Sequence, residues 1–237
     1  MPLADRVVLI TGATGTLGRG AVRGFAAEGC RIGLGGTHPG RLADVAREAG
    51  LPDDRWAAAV GDLRTADGAT AATAAVTDRF GRIDVLLHLV GGFVPGAPIA
   101  ELDPENLRFM LDQHLWTTLF LTRAVVPGMV DRGWGRVVAV TSSNTATTPA
   151  RSAIYTVAKT AQATLLNVLA KETAGSGVTV NVIVAKAVDA DHRREREPTP
   201  KNAAWATPDE IVATFRFLAS DEAAAITGSR IPLDGRA

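Results

Sequence analysis

Tyr155 and Lys159 stand four residues apart in IYTVAKTA, and Ser142 lies thirteen residues before the tyrosine in AVTSSNTA. These three side chains together can protonate a carbonyl oxygen. On a helix, positions i and i+4 share a face, so the spacing sets the Lys159 ammonium beside the Tyr155 phenol. A positive neighbour favours phenolate and lowers a tyrosine pKa from about 10 toward the working pH. The Ser142 hydroxyl can hold the substrate oxygen while Tyr155 transfers the proton. Taken alone, Y-x-x-x-K is a weak signal, because the same pair also suits half-buried packing beside a solvated charge.

A second motif adds weight. RVVLITGATGTLGRGAVRGFAAEG reads as an apolar strand, a glycine-rich turn and a helix. Gly12, Gly15 and Gly18 keep Cβ atoms out of a loop where backbone must approach a pyrophosphate. The following helix directs its first N–H groups at that anion, with Thr14, Thr16 and Leu17 completing the loop. Glycines also serve ordinary turns. The strand before and the helix after make dinucleotide binding the stronger reading.

The elements that must position these groups alternate along the chain. Apolar runs predict strands near 7–11, 31–34, 56–60, 85–89, 136–141, 178–184 and 229–233. Ala-rich helical patterns cover 17–28, 66–79, 105–130 and 153–173, and a last helix starts at Pro208, where TPDE supplies a cap, a proline and acidic residues. Strands apolar on both faces, alternating with helices, imply an α/β fold: a doubly wound parallel sheet of about seven strands in a single domain. One segment breaks the rhythm. Residues 186–206 are polar and carry prolines, and a structureless loop of that length is expected to be a lid or disordered. Arg193, Arg194 and Arg196 there can attract an acidic substrate, but Glu195 and Glu197 offset them and a solvated face is expected.

Composition narrows the function class. A chain of 237 residues suits one core, burying roughly 70–75% of its unfolded surface. Lysine plus arginine equals aspartate plus glutamate, 25 each, which gives no electrostatic case for nucleic acid or an anionic membrane. Cys30 stands alone, so no intrachain disulfide forms. His38, His88, His114 and His192 are scattered without metal-site spacing. No signal peptide or membrane-length apolar run is read, so a cytoplasmic protein is expected.

With both motifs in place the chain resembles the short-chain dehydrogenase/reductase family over almost all its length. The matches fall in order: the glycine loop, Asp62-Leu63, DVLLHLVGG, LTRAVVPGM, Ser142, Tyr155, Lys159, VNVI and ITGSRIPLDG. The resemblance implies a Rossmann-type fold and hydride transfer between a nicotinamide cofactor and a ketone or alcohol. It also implies that Tyr155 is the acid/base and that Ser142 binds the carbonyl oxygen, with Ser143 the fallback. Lys159 is implied to depress the tyrosine pKa and to hold the nicotinamide ribose. Asp62 and Leu63 are implied to flank the adenine, an N-cap aspartate being the ordinary alternative, and Gly91 lies in the loop after the fourth strand. The family commonly forms tetramers, so a homo-oligomer, tetramer or dimer, is implied.

The type of cofactor is read from the second strand. An NAD-preferring site usually has an acid about twenty residues past the glycines, yet Gly36 stands there and no acid occurs between Glu28 and Asp44. Thr37, His38 and Arg41 offer donors and a fixed charge for a 2′-phosphate, with Arg19 a further candidate. NADP is therefore favoured over NAD, the alternative being a permissive site with Arg41 solvated.

Several positions depart from the family pattern. Thr16 replaces the second glycine. His88-Leu89-Val90-Gly91 stands for Asn-Asn-Ala-Gly. His114 occupies the position of the tetrad asparagine, as a proton relay titrating near neutral pH or as a satisfied core histidine. Ala185-Lys186 replaces Pro-Gly, and Ala190 replaces a threonine. Phe93, Trp116 and Trp205 are candidate pocket walls. Two other functions remain open: a non-catalytic dinucleotide-binding sensor or partner protein, and an epimerase or dehydratase that retains its cofactor.

Overall fold

The run VVLIT forms strand β1 (Val7–Thr11), buried at all five residues. Val8 and Ile10 enter one apolar cluster, and Val7 and Leu9 the other, as the two-residue strand period requires of a sheet covered on both faces. In the computed structural model, which describes residues 3–235, the remaining strands are β2 (Arg31–Gly36), β3 (Trp56–Val60), β4 (Val85–His88), β5 (Gly135–Ser142), β6 (Val178–Ala185) and β7 (Arg230–Leu233). Their order is β3-β2-β1-β4-β5-β6-β7, with every pairing parallel. The expected seven strands and their double winding are present. Strand ends differ from expectation by one or two residues; β2, for example, continues to Gly36, which pairs with Val60.

Helices cover both faces. On one, α1 (Thr16–Ala27), α2 (Pro39–Glu48) and α9 (Pro208–Ala219) contribute Phe25, Leu42, Val45, Ile211 and Phe215 to the first cluster. On the other, α3 (Ala66–Phe80), α5 (Thr117–Asp131) and α7 (Ala153–Glu172) contribute Val76, Leu121, Met129 and Leu166 to the second. The TPDE signal is met: Thr207 caps α9 and Glu210 closes the reciprocal capping box.

The single helix expected over 105–130 is broken. It comprises α4 (Pro104–Leu111), a π-helical turn (Asp112–Trp116) and then α5, with the Thr117 N–H bonded to Asp112 O. A π-turn disturbs the ordinary carbonyl ladder. Here the Thr117 hydroxyl donates to Gln113 O at 2.7 Å, and the Thr118 hydroxyl to His114 O at 2.6 Å.

Residues 186–206 are not structureless, contrary to expectation. Val188 bridges Ala206, and the Asp189 carboxylate accepts the N–H groups of Arg193 (2.8 Å) and Arg194 (2.9 Å), starting the short helix α8 (Arg193–Arg196). Arg194 is also not part of a solvated basic face. It is buried and forks onto Glu210 at 2.6 and 3.0 Å, tying the segment to the start of α9. The hydrogen bonds of Asp189 and Arg194 give the segment the order its composition hides. Among the described residues no helix is long and apolar enough to cross a membrane, and no cluster of three or more His, Cys, Asp or Glu is placed to hold a metal.

Candidate active site

The crevice opens at the C-terminal ends of β1 and β4, where the strand order reverses, the usual ligand position in such sheets. Gly12 ends β1 at φ +70°, and a Cβ there would lie 2.8 Å from Leu89 O. A Cβ on Gly18 would collide with the Gly12 carbonyl, so the loop and the start of α1 close only with glycine at both positions. Gly15 is the N-cap of α1 and its helix end has no side-chain cap, which leaves the first N–H groups of Thr16, Leu17 and Gly18 without an intrahelical partner. These features fit a dinucleotide pyrophosphate: pinched backbone beside a helix end that carries partial positive charge.

Thr37, His38 and Arg41 lie exposed beyond β2, with His38 as the uncapped N-cap of α2. Arg19 points elsewhere. Its guanidinium pairs with Glu48 and donates to Thr14 O at 3.2 Å, so it ties α1 to α2. Leu63 is buried. Asp62 is not an N-cap, since Thr65 caps α3 by accepting the Gly68 N–H at 3.0 Å. The Asp62 carboxylate instead takes both Arg64 side-chain donors, at 2.9 and 2.7 Å, which holds its pKa below the usual range.

Ser142 ends β5, and its Oγ accepts the Asn144 N–H at 3.2 Å, at the start of the short helix α6 (Asn144–Thr147). Tyr155 occupies the first turn of α7 and packs beside the small cluster of Met110, Ile154 and Ala158. Burial raises the phenol pKa, and a hydrogen bond with Ser142 works in the opposite direction. Ser142, not Ser143, is therefore the serine at the tyrosine; the Ser143 N–H is bonded to Ala185 O at 3.3 Å.

Lys159 corrects the expectation that its charge depresses Tyr155. The buried ammonium donates to Val140 O at 2.8 Å and to Gln162 Oε1 at 3.1 Å. A buried cation must find acceptors, and here they are Val140 O on β5 and Gln162 Oε1 one turn further along α7; the phenol pKa responds to burial and to Ser142. Burial brings the Lys159 pKa down to about 7.

His114 sits in the π-turn, buried, with its ring 5.9 Å from that of Tyr155, edge to face. Its Nε2 lies 3.2 Å from Gly92 O, and its Nδ1 is buried without a partner. It is thus neither a fully satisfied core histidine nor a group titrating near neutrality, because burial and then the Lys159 charge push its pKa down to about 3. Gly91 makes room for it: a Cβ there would lie 2.5 Å from His114 Cε1.

His88 forms a second link. Its Nδ1 is 2.8 Å from Thr11 Oγ1 and its Nε2 is 3.2 Å from Thr117 Oγ1. The one Thr117 hydroxyl proton already goes to Gln113 O, so His88 Nε2 carries the ring proton and Nδ1 accepts from Thr11. Complete burial, with the Lys159 charge second, lowers the His88 pKa to about 3.

Of the three candidate aromatic walls only Phe93 reaches the tyrosine, with ring centroids 5.4 Å apart and 68% of its surface exposed. Trp116 stacks on Phe120, and the Trp205 carbonyl accepts from Arg194 at 2.6 Å. Lys186 is exposed. Gln162, Thr118 and Thr11 were not singled out from sequence. Gln162 had a usable signal, a polar residue one turn from Lys159 on an otherwise apolar helix face.

The short chain dehydrogenase family model matches residues 6–201. The 2,3-dihydroxy-2,3-dihydro-p-cumate dehydrogenase of Pseudomonas putida is 29% identical over 247 residues, covering 99% of this chain and 95% of that protein. The D-threitol dehydrogenase of Mycolicibacterium smegmatis is 30% identical over 242 residues, covering 98% and 93%. A solved short-chain type dehydrogenase/reductase from Mycobacterium ulcerans superposes with TM-score 0.88 at 26% identity, over 99% of this chain and 90% of that one. With this match and the sheet order and crevice above, the chain belongs to the short-chain dehydrogenase/reductase family, enzymes acting on alcohol and carbonyl groups.

Proposed function

We propose that this enzyme reduces a ketone to an alcohol, or runs the reverse, with a nicotinamide cofactor and a preference for NADPH. One observation carries the reading: two hydroxyls, Tyr155 and Ser142, meet one helical turn from a buried lysine, on a sheet whose glycine loop fits a pyrophosphate.

The chain's own groups divide the work as follows. Ser142 is held by the Asn144 N–H and offers its hydroxyl proton to the substrate oxygen. Tyr155 donates the proton that converts the developing alkoxide to alcohol. A phenol whose pKa is raised stays protonated at neutral pH, the form the acid role requires. With a dinucleotide bound, Gly12 to Gly18 and the α1 N-terminus would hold its pyrophosphate, Asp62 and Leu63 would flank its adenine, and Gly91 and Lys159 would lie on its nicotinamide side. Phe93 excludes water on the open side of the tyrosine. A bound nicotinamide cofactor supplies the hydride in reduction and accepts it in oxidation. Residues 186–206, anchored through Arg194 and Glu210, are read as the substrate lid.

The NADPH preference rests on Thr37, His38 and Arg41 standing exposed where an acid would otherwise grip the ribose. In a thermal-shift titration NADPH at a hundredfold excess over its Kd is expected to stabilise the protein by about 2.7 kcal/mol, and NADH at the same concentration by less. Arg41→Ala is expected to remove most of the difference. NADH binding tenfold tighter than NADPH would reverse this reading.

A homo-oligomer is the reading for the groove between α5 and α7. Its volume is about 1170 Å3, and Val126, Pro127, Val157, Leu165 and Val168 line it. Val157 and Val168 are about half exposed, and an exposed apolar face of this kind marks an interface. Both signs of charge edge the groove, Arg123 against Asp131 and Glu172, so a second copy related by a two-fold axis can pair them. Light scattering is expected to give a dimer or tetramer, reduced by Val168→Asp. A wild-type monomer at micromolar concentration would overturn the assignment.

A further inference from the structure

Gln162 is 1% exposed and lies where α7 faces both β5 and the π-turn. Its amide nitrogen donates to Thr118 Oγ1 at 3.0 Å and to His114 O at 3.5 Å. A backbone carbonyl can only accept, so the amide orients its nitrogen toward the π-turn and its oxygen toward Lys159 Nζ, 3.1 Å away. Val140 O, at 2.8 Å, is the second acceptor for the same ammonium.

We propose that Gln162 is the positioning residue of Lys159, its carbonyl oxygen holding the ammonium at a fixed point between α7, β5 and the π-turn. The inference rests on the reading of Lys159 as an active-site group given above. The titratable groups around this lysine are uncharged near neutral pH. Tyr155 lies on its own helix, His114 on the π-turn and His88 on β4, and both histidines are held neutral at pH 7. Burial is the cause that lowers the proton affinity of Lys159. The two carbonyl oxygens oppose it, because a neutral amine would forfeit the charge-assisted bonds that both oxygens accept. Gln162 thus sets how much of Lys159 carries a charge near neutral pH. Through Thr118 and His114 O it also ties that charge to the turn that carries His114.

The test reads the lysine itself, without substrate or cofactor. The chain has four lysines, Lys159, Lys171, Lys186 and Lys201. In isotope-labelled lysine side-chain NMR, the Lys159 signal is the one lost in Lys159→Met. Gln162→Met keeps the length and removes the acceptor, and it is expected to lower the Lys159 titration midpoint by about one pH unit or more. Gln162→Glu keeps an acceptor and adds charge, and is expected to raise the midpoint above wild type. In turnover, the alkaline limb of kcat/KM is expected to move the same way in each variant, which a merely structural role would not produce. An unchanged midpoint in Gln162→Met overturns the proposal. Should that variant fail to fold, the absence of a rise in Gln162→Glu overturns it. A wild-type protein that reduces no carbonyl would instead defeat the functional reading, while the lysine titration still decides the role of Gln162.

Discussion

Tyr155→Phe is expected to bind its dinucleotide with wild-type affinity and to turn over at least about a hundredfold more slowly. The substitution removes one oxygen and leaves the ring. That ring remains packed against Phe93, His114 and the cluster of Met110, Ile154 and Ala158, so the pocket and the α7 register persist. Ser142 remains to bind the carbonyl oxygen, but no acid stands beside it to complete the proton transfer. The glycine loop and α1 follow β1, apart from α7, and are untouched. Thermal shift with cofactor and steady-state kinetics on the same preparation separate the two effects. Turnover within a few-fold of wild type would remove Tyr155 from its role.

The second large effect is on stability in acid. His88 and His114 have folded pKa values pushed from 6.5 to about 3, chiefly by burial. Between those values the unfolded chain binds a proton at each histidine and the folded chain does not. Unfolding free energy therefore falls as pH drops through this window, by about 1.4 kcal/mol per pH unit for each histidine. Above pH 6.5 both states hold neutral histidine and the contribution is complete. Lys159 acts in the same sense further up the scale. Its folded pKa of about 7 lies below 10.5, so stability rises with pH between the two. Urea unfolding of wild type and His88→Asn between about pH 4 and 6.5 is expected to show a shallower pH slope in the variant, by one proton's worth. Carboxylates titrating in the same range cancel in the comparison. Equal slopes would contradict a buried, neutral His88.

Much of this molecule is legible in its sequence, for local reasons. VVLIT feeds two clusters by simple alternation, TPDE caps α9 through contacts within four residues, and the glycine loop is recognised by its strand and helix. Tyr155 and Lys159 share α7, as their spacing predicts, while Ser142 comes to the tyrosine from β5. The orientation of Lys159 was not legible, because it depends on a β5 carbonyl nineteen residues earlier and on the amide of Gln162. The π-turn was hidden for a related reason. The apolar period of 105–130 runs through it unbroken, and the turn is held by threonine hydroxyls and by His88 from β4. His88 pairs Thr11 with Thr117 across the fold, and no local pattern announces such a link. The order within 186–206 has a similar origin, since Asp189 and Arg194 act through partners up to sixteen residues away.

Stoichiometric consumption of reduced cofactor against a panel of ketones, for wild type and Tyr155→Phe side by side, tests the account most directly. The predicted result is one cofactor oxidised per carbonyl reduced in wild type, with NADPH the better donor, and almost none in the variant. A protein that binds NADPH tightly and oxidises it with no carbonyl compound would contradict the reductase reading and leave a dinucleotide-binding protein or a cofactor-retaining isomerisation or dehydration in its place.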